Sequence, residues 1–280
     1  MDFRTPEGQQ RYDELVADAP RVVVGLDFDG VLAPIVDDPA SAVIHPDGRR
    51  TLVALARQVR GVAVITGRPA RQAIALGGLD EVGQELAEHG KALHLMGQYG
   101  NERWSSTDRR VVSPRPPKGL GSFMAELPDL LRRHDATDAF VEEKGLAVAV
   151  HTRRLAEPTA AFERLLPVLT DAAARFDLGV EPGRMVIEVR APGMDKGQAL
   201  RTIHAELDGH GAMFAGDDLG DVEAFRTVQA LRDGGLPGLL VCSGSEEQKA
   251  LVELSDIVVD GPQGVLAFFR QFARDAAAAG

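Results

Sequence analysis

Short runs of apolar residues recur along the chain at 21–26 (RVVVGL), 62–65 (VAVI), 92–96 (ALHLM), 212–215 (AMFA), 239–242 (LLVC) and 257–259 (IVV). Each has the length of a strand and is apolar at successive positions, the pattern of strands buried on both faces. Between several of them, at 47–60, 68–77, 196–208, 219–231 and 262–274, apolar residues return at spacings of three and four, which predicts helices. Strand alternating with helix predicts an α/β fold, a Rossmann-like core with a mostly parallel sheet covered by helices. Functional groups in such a sheet gather at the carboxyl ends of the strands.

The middle of the chain follows another rhythm. After the Pro-rich segment SPRPPKG at 113–119 come a helical stretch at 120–133, strand-like runs at 139–144 and 146–153, a second helical stretch at 157–176, and strand-like runs at 178–181 and 184–190. Glycines at 145 and 183 join the strand pairs. This αββαββ order predicts a small α+β domain, helices on one face of an antiparallel sheet, inserted at 113–191 into a core formed by 1–112 and 192–280.

The 280 residues, 44% hydrophobic and 26% charged, suffice for a core domain with a sizeable insertion. A net charge of −11, with no basic run interleaved with aromatics, argues against a nucleic-acid partner. The first twenty residues lack a basic start followed by an apolar run, and no apolar stretch approaches a membrane span. The single cysteine, Cys242, lies in an apolar strand and forms no internal disulfide. A cytoplasmic monomer with no membrane partner is the expectation.

Carboxylates are concentrated where strands end. In LDFDGVL at 26–32 an apolar run stops at Asp27 and Asp29, with Gly30 permitting a turn. Two acids so close repel each other unless a cation lies between them or one is protonated. In FAGDDLGDVEAF at 214–225, Asp217, Asp218 and Asp221 follow another strand at a helix start. Taken singly, Asp218 or Asp221 reads equally well as a helix cap. Together the two clusters suggest an oxygen-rich Mg2+ site. Thr66 in VITGRP and Lys196 in DKGQAL add a hydroxyl and an ammonium, which suit a tetrahedral dianion.

These four segments, in this order and spacing, resemble the motifs of the haloacid dehalogenase-like (HAD) phosphatases. The resemblance implies a Mg2+-dependent enzyme in which Asp27 attacks phosphorus to form an aspartyl-phosphate. Asp29 would then protonate the leaving oxygen and later activate water, while Thr66 and Lys196 bind the phosphoryl group. Mg2+ would be held by Asp27, the Asp29 carbonyl and Asp217, with Asp218 and Asp221 positioning its waters or fixing Lys196.

Alternation in the insertion bears on the substrate. In RMVIEVR, Met185, Ile187 and Val189 oppose Arg184, Glu188 and Arg190. In LAVAVHTR, Leu146, Val148 and Val150 oppose Ala147, Ala149, His151 and Arg153. Glu142 and Lys144 also share a face. A face of mixed carboxylates and cations suits the hydroxyls of a sugar, although alternation alone equally describes a solvated surface.

GQYGNE at 97–102, VEEKGLAVAVHTR and GRMVIEVRAPGMDKG resemble motifs of the trehalose-6-phosphate phosphatases. That resemblance implies a sugar-phosphate substrate, trehalose 6-phosphate. Glu142, Lys144, Arg153, Arg184 and Glu188 would contact the disaccharide, Glu102 would lie near the hinge and substrate, and Gly67 and Arg68 would join the substrate-binding set. Arg184 stands where the family usually has lysine, Ala191 separates Arg190 from Pro192, and Gly220 and Val222 replace the usual Thr and Glu. A phosphatase for another sugar phosphate, a sugar phosphomutase, and a non-catalytic sugar-phosphate sensor remain as alternatives.

Overall fold

The computed structural model describes residues 3–36, 38–183, 185–193, 195–244 and 249–280. It divides into two compact units, Met1–Ser113 with Asp195–Gly280, and Pro114–Met194. In chain order the first unit begins with α1 (Pro6–Ala17), β1 (Val22–Leu26), α2 (Gly48–Gln58), β2 (Gly61–Ile65), α3 (Ala70–Gly77), α4 (Leu79–Ala87), β3 (Leu93–Gly97) and β4 (Glu102–Ser105). The second unit comprises α5 (Leu120–Arg133), β5 (Phe140–Glu143), β6 (Ala147–His151), α6 (Pro158–Ala174), β7 (Gly179–Gly183) and β8 (Val186–Arg190). The chain then returns to the first unit with α7 (Lys196–Glu206), β9 (Gly211–Gly216), α8 (Val222–Asp233), β10 (Gly238–Gly244), α9 (Lys249–Leu254), β11 (Ile257–Asp260) and α10 (Gly261–Ala279).

The first unit holds a seven-stranded sheet in the order β11-β10-β9-β1-β2-β3-β4. Every neighbouring pair is parallel except β3 with β4. Alternate side chains of the apolar strands feed two cores. Val22, Val24 and Leu26 of β1, with Met213 and Ala215 of β9, pack against α1, α2, α4 and α10. Val23, Ala212 and Phe214 pack on the other side against α7 and α8. A strand that must satisfy two apolar layers has no polar face to show, so these runs read as continuous rather than alternating.

The second unit is a four-stranded antiparallel sheet in the order β5-β6-β8-β7. Val148, Val150, Ile187 and Val189 pack with Phe123, Leu127, Leu165 and Leu169 of α5 and α6. One face is therefore apolar and covered by its helices, in keeping with the alternation in the sequence. The α/β core with a mostly parallel sheet and the separate α+β unit are the fold the sequence predicts.

Four elements were not anticipated. The strand β4 is four residues, ERWS, mostly polar, and antiparallel at the sheet edge. It is formed by pairing with β3 rather than by its own pattern. In α1, Thr5 accepts a hydrogen bond from the Gly8 amide and a proline opens the first turn, so capping chemistry rather than periodicity marks it. Two short helices, α4 and α9, complete the set.

Candidate active site

The parallel strands β1, β2, β9 and β10 end at one edge of the sheet, and the polar residues that follow them meet there. The Asp27 amide donates to the Ala215 carbonyl at 3.0 Å and the Thr66 amide to Met96 at 3.0 Å, carrying the ladders one residue past each strand. Gly30 turns the chain with φ of +70°. A Cβ there would lie 2.2 Å from the Asp217 carboxylate, so only glycine admits this approach. The buried Ser243, at the end of β10, donates its hydroxyl to the Gly30 carbonyl at 2.6 Å and clamps the turn.

Lys196 opens α7, whose N-cap, Asp195, accepts from the Gln198 amide. A lysine at a helix N-terminus opposes the helix dipole, so its placement depends on other charges. Its Nζ is 2.8 Å from Asp27 Oδ2 and 2.8 Å from Asp221 Oδ1. The other Asp221 oxygen accepts from the amides of Asp217 and Asp218, at 2.9 and 3.2 Å. Asp221 is fully buried and ties the lysine to the loop that carries Asp217.

Oxygens of Asp27, Asp217 and Asp221 lie within 4.8 Å of one another. Burial lifts Asp27 well above the usual carboxylate range; Lys196 opposes the shift, and Asp221, Asp218 and Asp29 reinforce it. Asp217 is pushed up to about 10 by burial and then by Asp27, Asp221 and Asp218. Asp221 is also raised, by burial first. Burial works against the charge of Lys196, but Asp221 and Asp27 outweigh it and hold the ammonium well above its ordinary value. A group of carboxylates strained in this way, with donors that are all oxygen, fits a divalent cation.

The Asp29 carboxylate faces Arg68, with Nε and Nη2 each 2.7 Å from one of its oxygens. Nη1 of Arg68 donates to the Pro39 carbonyl at 2.7 Å, and the guanidinium lies over the Phe28 ring. Thr66 Oγ1 accepts from the Arg68 amide at 3.1 Å. At Gly67 a Cβ would fall 2.7 Å from the Tyr99 hydroxyl, so the segment runs close beneath that ring. Glu102 accepts from the Ala70 amide at 2.6 Å and so satisfies the N-terminus of α3. Asp218 is exposed and its side chain caps Gly220 at 2.9 Å. Of the sequence-derived set, Asp27, Lys196, Asp217 and Asp221 form the tightest cluster, whereas the Asp29 and Asp218 carboxylates are turned to other partners.

In the second unit, the face opposite α5 and α6 carries the charges. Lys144 Nζ is 2.6 Å from Glu188 Oε2, and Arg190 reaches Glu181 at 3.0 Å and Glu188 at 3.7 Å. Glu188 and Arg190 are buried, so this is not an ordinary solvated surface. Glu142 pairs with His151 at 3.0 Å. Ala149 sits between Glu142 and Glu188 in the strand register and leaves space between them. Arg153 is exposed in the turn after β6, and Arg184 lies outside the described residues.

Sequence reasoning passed over Ser243 and the Arg68 grip on Asp29. The signal for Ser243 was its position at a strand's carboxyl end, the rule that had found Asp27 and Thr66. The Arg68 contact joins residues 39 apart in sequence and leaves no local mark.

Residues 25–257 match the family described as Trehalose-phosphatase. An uncharacterized glycosyl hydrolase of Mycobacterium tuberculosis is 33% identical over 237 residues, covering 80% of this chain, and the match spans only 17% of that relative's length. Trehalose-phosphate phosphatase B of Arabidopsis thaliana is 28% identical over 265 residues, 90% of this chain and 68% of the relative. Among solved structures, the C-terminal domain of C. albicans trehalose-6-phosphate phosphatase superposes with a TM-score of 0.75 at 21% identity, covering 96% of each chain.

Proposed function

This chain belongs to the trehalose-phosphatase family, and from that premise we propose that it hydrolyses trehalose 6-phosphate to trehalose and phosphate, with Mg2+ and an aspartyl-phosphate on Asp27. The observation that carries the chemistry is the Lys196 bridge between Asp27 and Asp221, beside Asp217, at 2.8 Å on each side. An anionic nucleophile and an anionic ester repel each other, and a fixed ammonium beside the nucleophile offsets that repulsion.

The residues that would hold Mg2+ are Asp27, Asp217 and the backbone carbonyl of Asp29, with Asp221 close by. When bound, the ion supplies positive charge to the phosphoryl oxygens and relieves the carboxylates' mutual repulsion. A carboxylate oxygen of Asp27 forms a bond to phosphorus as the bond from phosphorus to the sugar oxygen breaks, and Asp29 gives that oxygen a proton. Water then attacks the phosphorus. Its proton passes to Asp29 as the bond from Asp27 to phosphorus breaks, which restores both carboxyl groups. Thr66 and Lys196 bind phosphoryl oxygens. Arg68, read from the resemblance as substrate-binding, holds Asp29 as a carboxylate in this structure; Asp29 takes up a proton from solvent as that pair opens, and Arg68 sets its position between turnovers.

The charged face of the second unit reads the sugar. Glu142 and Lys144, two residues apart, and Glu188, which pairs with Lys144, combine acceptors and donors as a polyhydroxylated ligand requires. Arg153 and Arg184 complete that set through the family motif, and Glu102 supports the α3 segment that follows Arg68. A panel of trehalose 6-phosphate, sucrose 6-phosphate, glucose 6-phosphate and a small aryl phosphate, scored by free phosphate, tests the reading. Preference for trehalose 6-phosphate supports it. Preference for another sugar phosphate overturns the substrate, isomerised sugar phosphate without free phosphate points to a mutase, and binding without turnover points to a sensor.

A further inference from the structure

Away from the strand ends, α2 and α10 pack together and leave a groove of about 290 Å³ between them. Its walls are one stripe of each helix: Arg50, Ala54, Arg57 and Gln58 from α2, at spacings of four, three and one, and Arg270, Ala273, Arg274 and Ala277 from α10, at three, one and three. Ala54 and Ala273 form the floor with Gln58 beside them, Ala277 stands exposed at one end, and the rim is arginine. Four arginines here face few acids. Among the described residues, Arg50 at 2.8 Å and Arg270 at 3.0 Å share Asp47, Arg274 bonds the neutral Gln271, and Arg57 forms no ion pair. In a chain of net charge −11 this is a local reversal of sign.

We propose that this groove is a docking site for an acidic amphipathic helix of a partner protein. Two packed helices that present i, i+3, i+4 and i+7 positions toward a gap form a seat for a third helix. Alanines let its backbone approach, and the arginine forks on both rims match carboxylates flanking a narrow apolar stripe. The acidic partner is chosen on charge complementarity. A flat anionic bilayer would meet the rim but not the recessed Ala54 and Ala273, and a nucleic acid would face a strongly acidic chain with no aromatic residue in the groove.

The test uses the full chain and a fluorescein-labelled synthetic peptide of about 18 residues, five turns of helix, with leucines at i, i+3, i+4 and i+7 flanked by glutamates. The expected result is saturable anisotropy that weakens at least about tenfold in an Arg57→Glu, Arg274→Glu double variant and falls with added salt. Phosphate release by that variant should match wild type, which shows that the fold is intact. No saturable binding, or binding undiminished in the double variant, overturns the proposal. So does equal binding of a scrambled peptide of the same composition, or capture of the chain by phosphatidylserine vesicles without binding of the peptide.

Discussion

Arg68 grips the carboxylate of Asp29 with two nitrogens, each 2.7 Å from an oxygen. The same guanidinium holds the Pro39 carbonyl, so three segments of the first unit are locked around one acid. Because a fork of this kind sets direction as well as distance, Arg68→Ala should misplace Asp29 and lower kcat by about a hundredfold. Arg68→Lys keeps the charge but loses the second contact and should recover only part of the rate. Steady-state phosphate release checks this, and unchanged kcat in Arg68→Ala would remove Arg68 from the mechanism.

Asp221 is the anchor of Lys196. Asp221→Asn leaves a buried ammonium with Asp27 as its remaining close carboxylate and weakens the tie to the Asp217 loop. Breaking one partner of a buried pair costs about 3–5 kcal/mol. The variant should therefore lose both activity and denaturant resistance, read by phosphate release and a urea midpoint. Loss of activity at unchanged midpoint would confine Asp221 to the chemistry.

Metal binding should register in stability as a function of pH. With no ion bound, burial and the neighbouring carboxylates push Asp217 up to about 10, far above its ordinary value of 3.8 in the unfolded chain. Its contribution to stability is full below that lower value and is lost as pH rises toward the upper one. A divalent cation takes the place of the protons, so Mg2+ should raise Tm more at about pH 8 than at about pH 5. Equal shifts at both pH values would argue against the acidic cluster as the binding site.

Glu142 separates sugar recognition from phosphate chemistry. It is half-buried and paired with His151, so Glu142→Ala removes an acceptor without opening a core. Its kcat/KM for trehalose 6-phosphate should fall by about tenfold or more, about 1.4 kcal/mol, with a small aryl phosphate unaffected. Glu188→Ala is a poorer probe, because Glu188 is buried and its loss leaves Lys144 without that carboxylate. Equal losses on both substrates in Glu142→Ala would assign the residue to the fold.

The fold was legible because its strands carry their own signal. Val22 to Leu26 and Gly211 to Gly216 lie between two apolar layers, and every residue of each is buried. Asp27, Thr66 and Asp217 were legible for the same reason, since each is the first polar residue after such a run. What sequence could not show are relations across the chain: Arg68 turned to Asp29, Ser243 holding Gly30, and Glu188 buried against Lys144 rather than solvated. Asp218 illustrates the limit of composition, since next to Asp217 it looks equivalent, yet it is exposed and caps Gly220. β4 was illegible because a short, mostly polar strand exists only through its neighbour.

The most direct test of the central claim is acid quenching of the enzyme during turnover of trehalose 6-phosphate with Mg2+, followed by mass spectrometry of the peptide that contains Asp27. The account predicts a hydroxylamine-sensitive phosphate on Asp27 of the wild type and none in an inactive Asp27→Asn. Phosphate release by Asp27→Asn at a rate near wild type would contradict it.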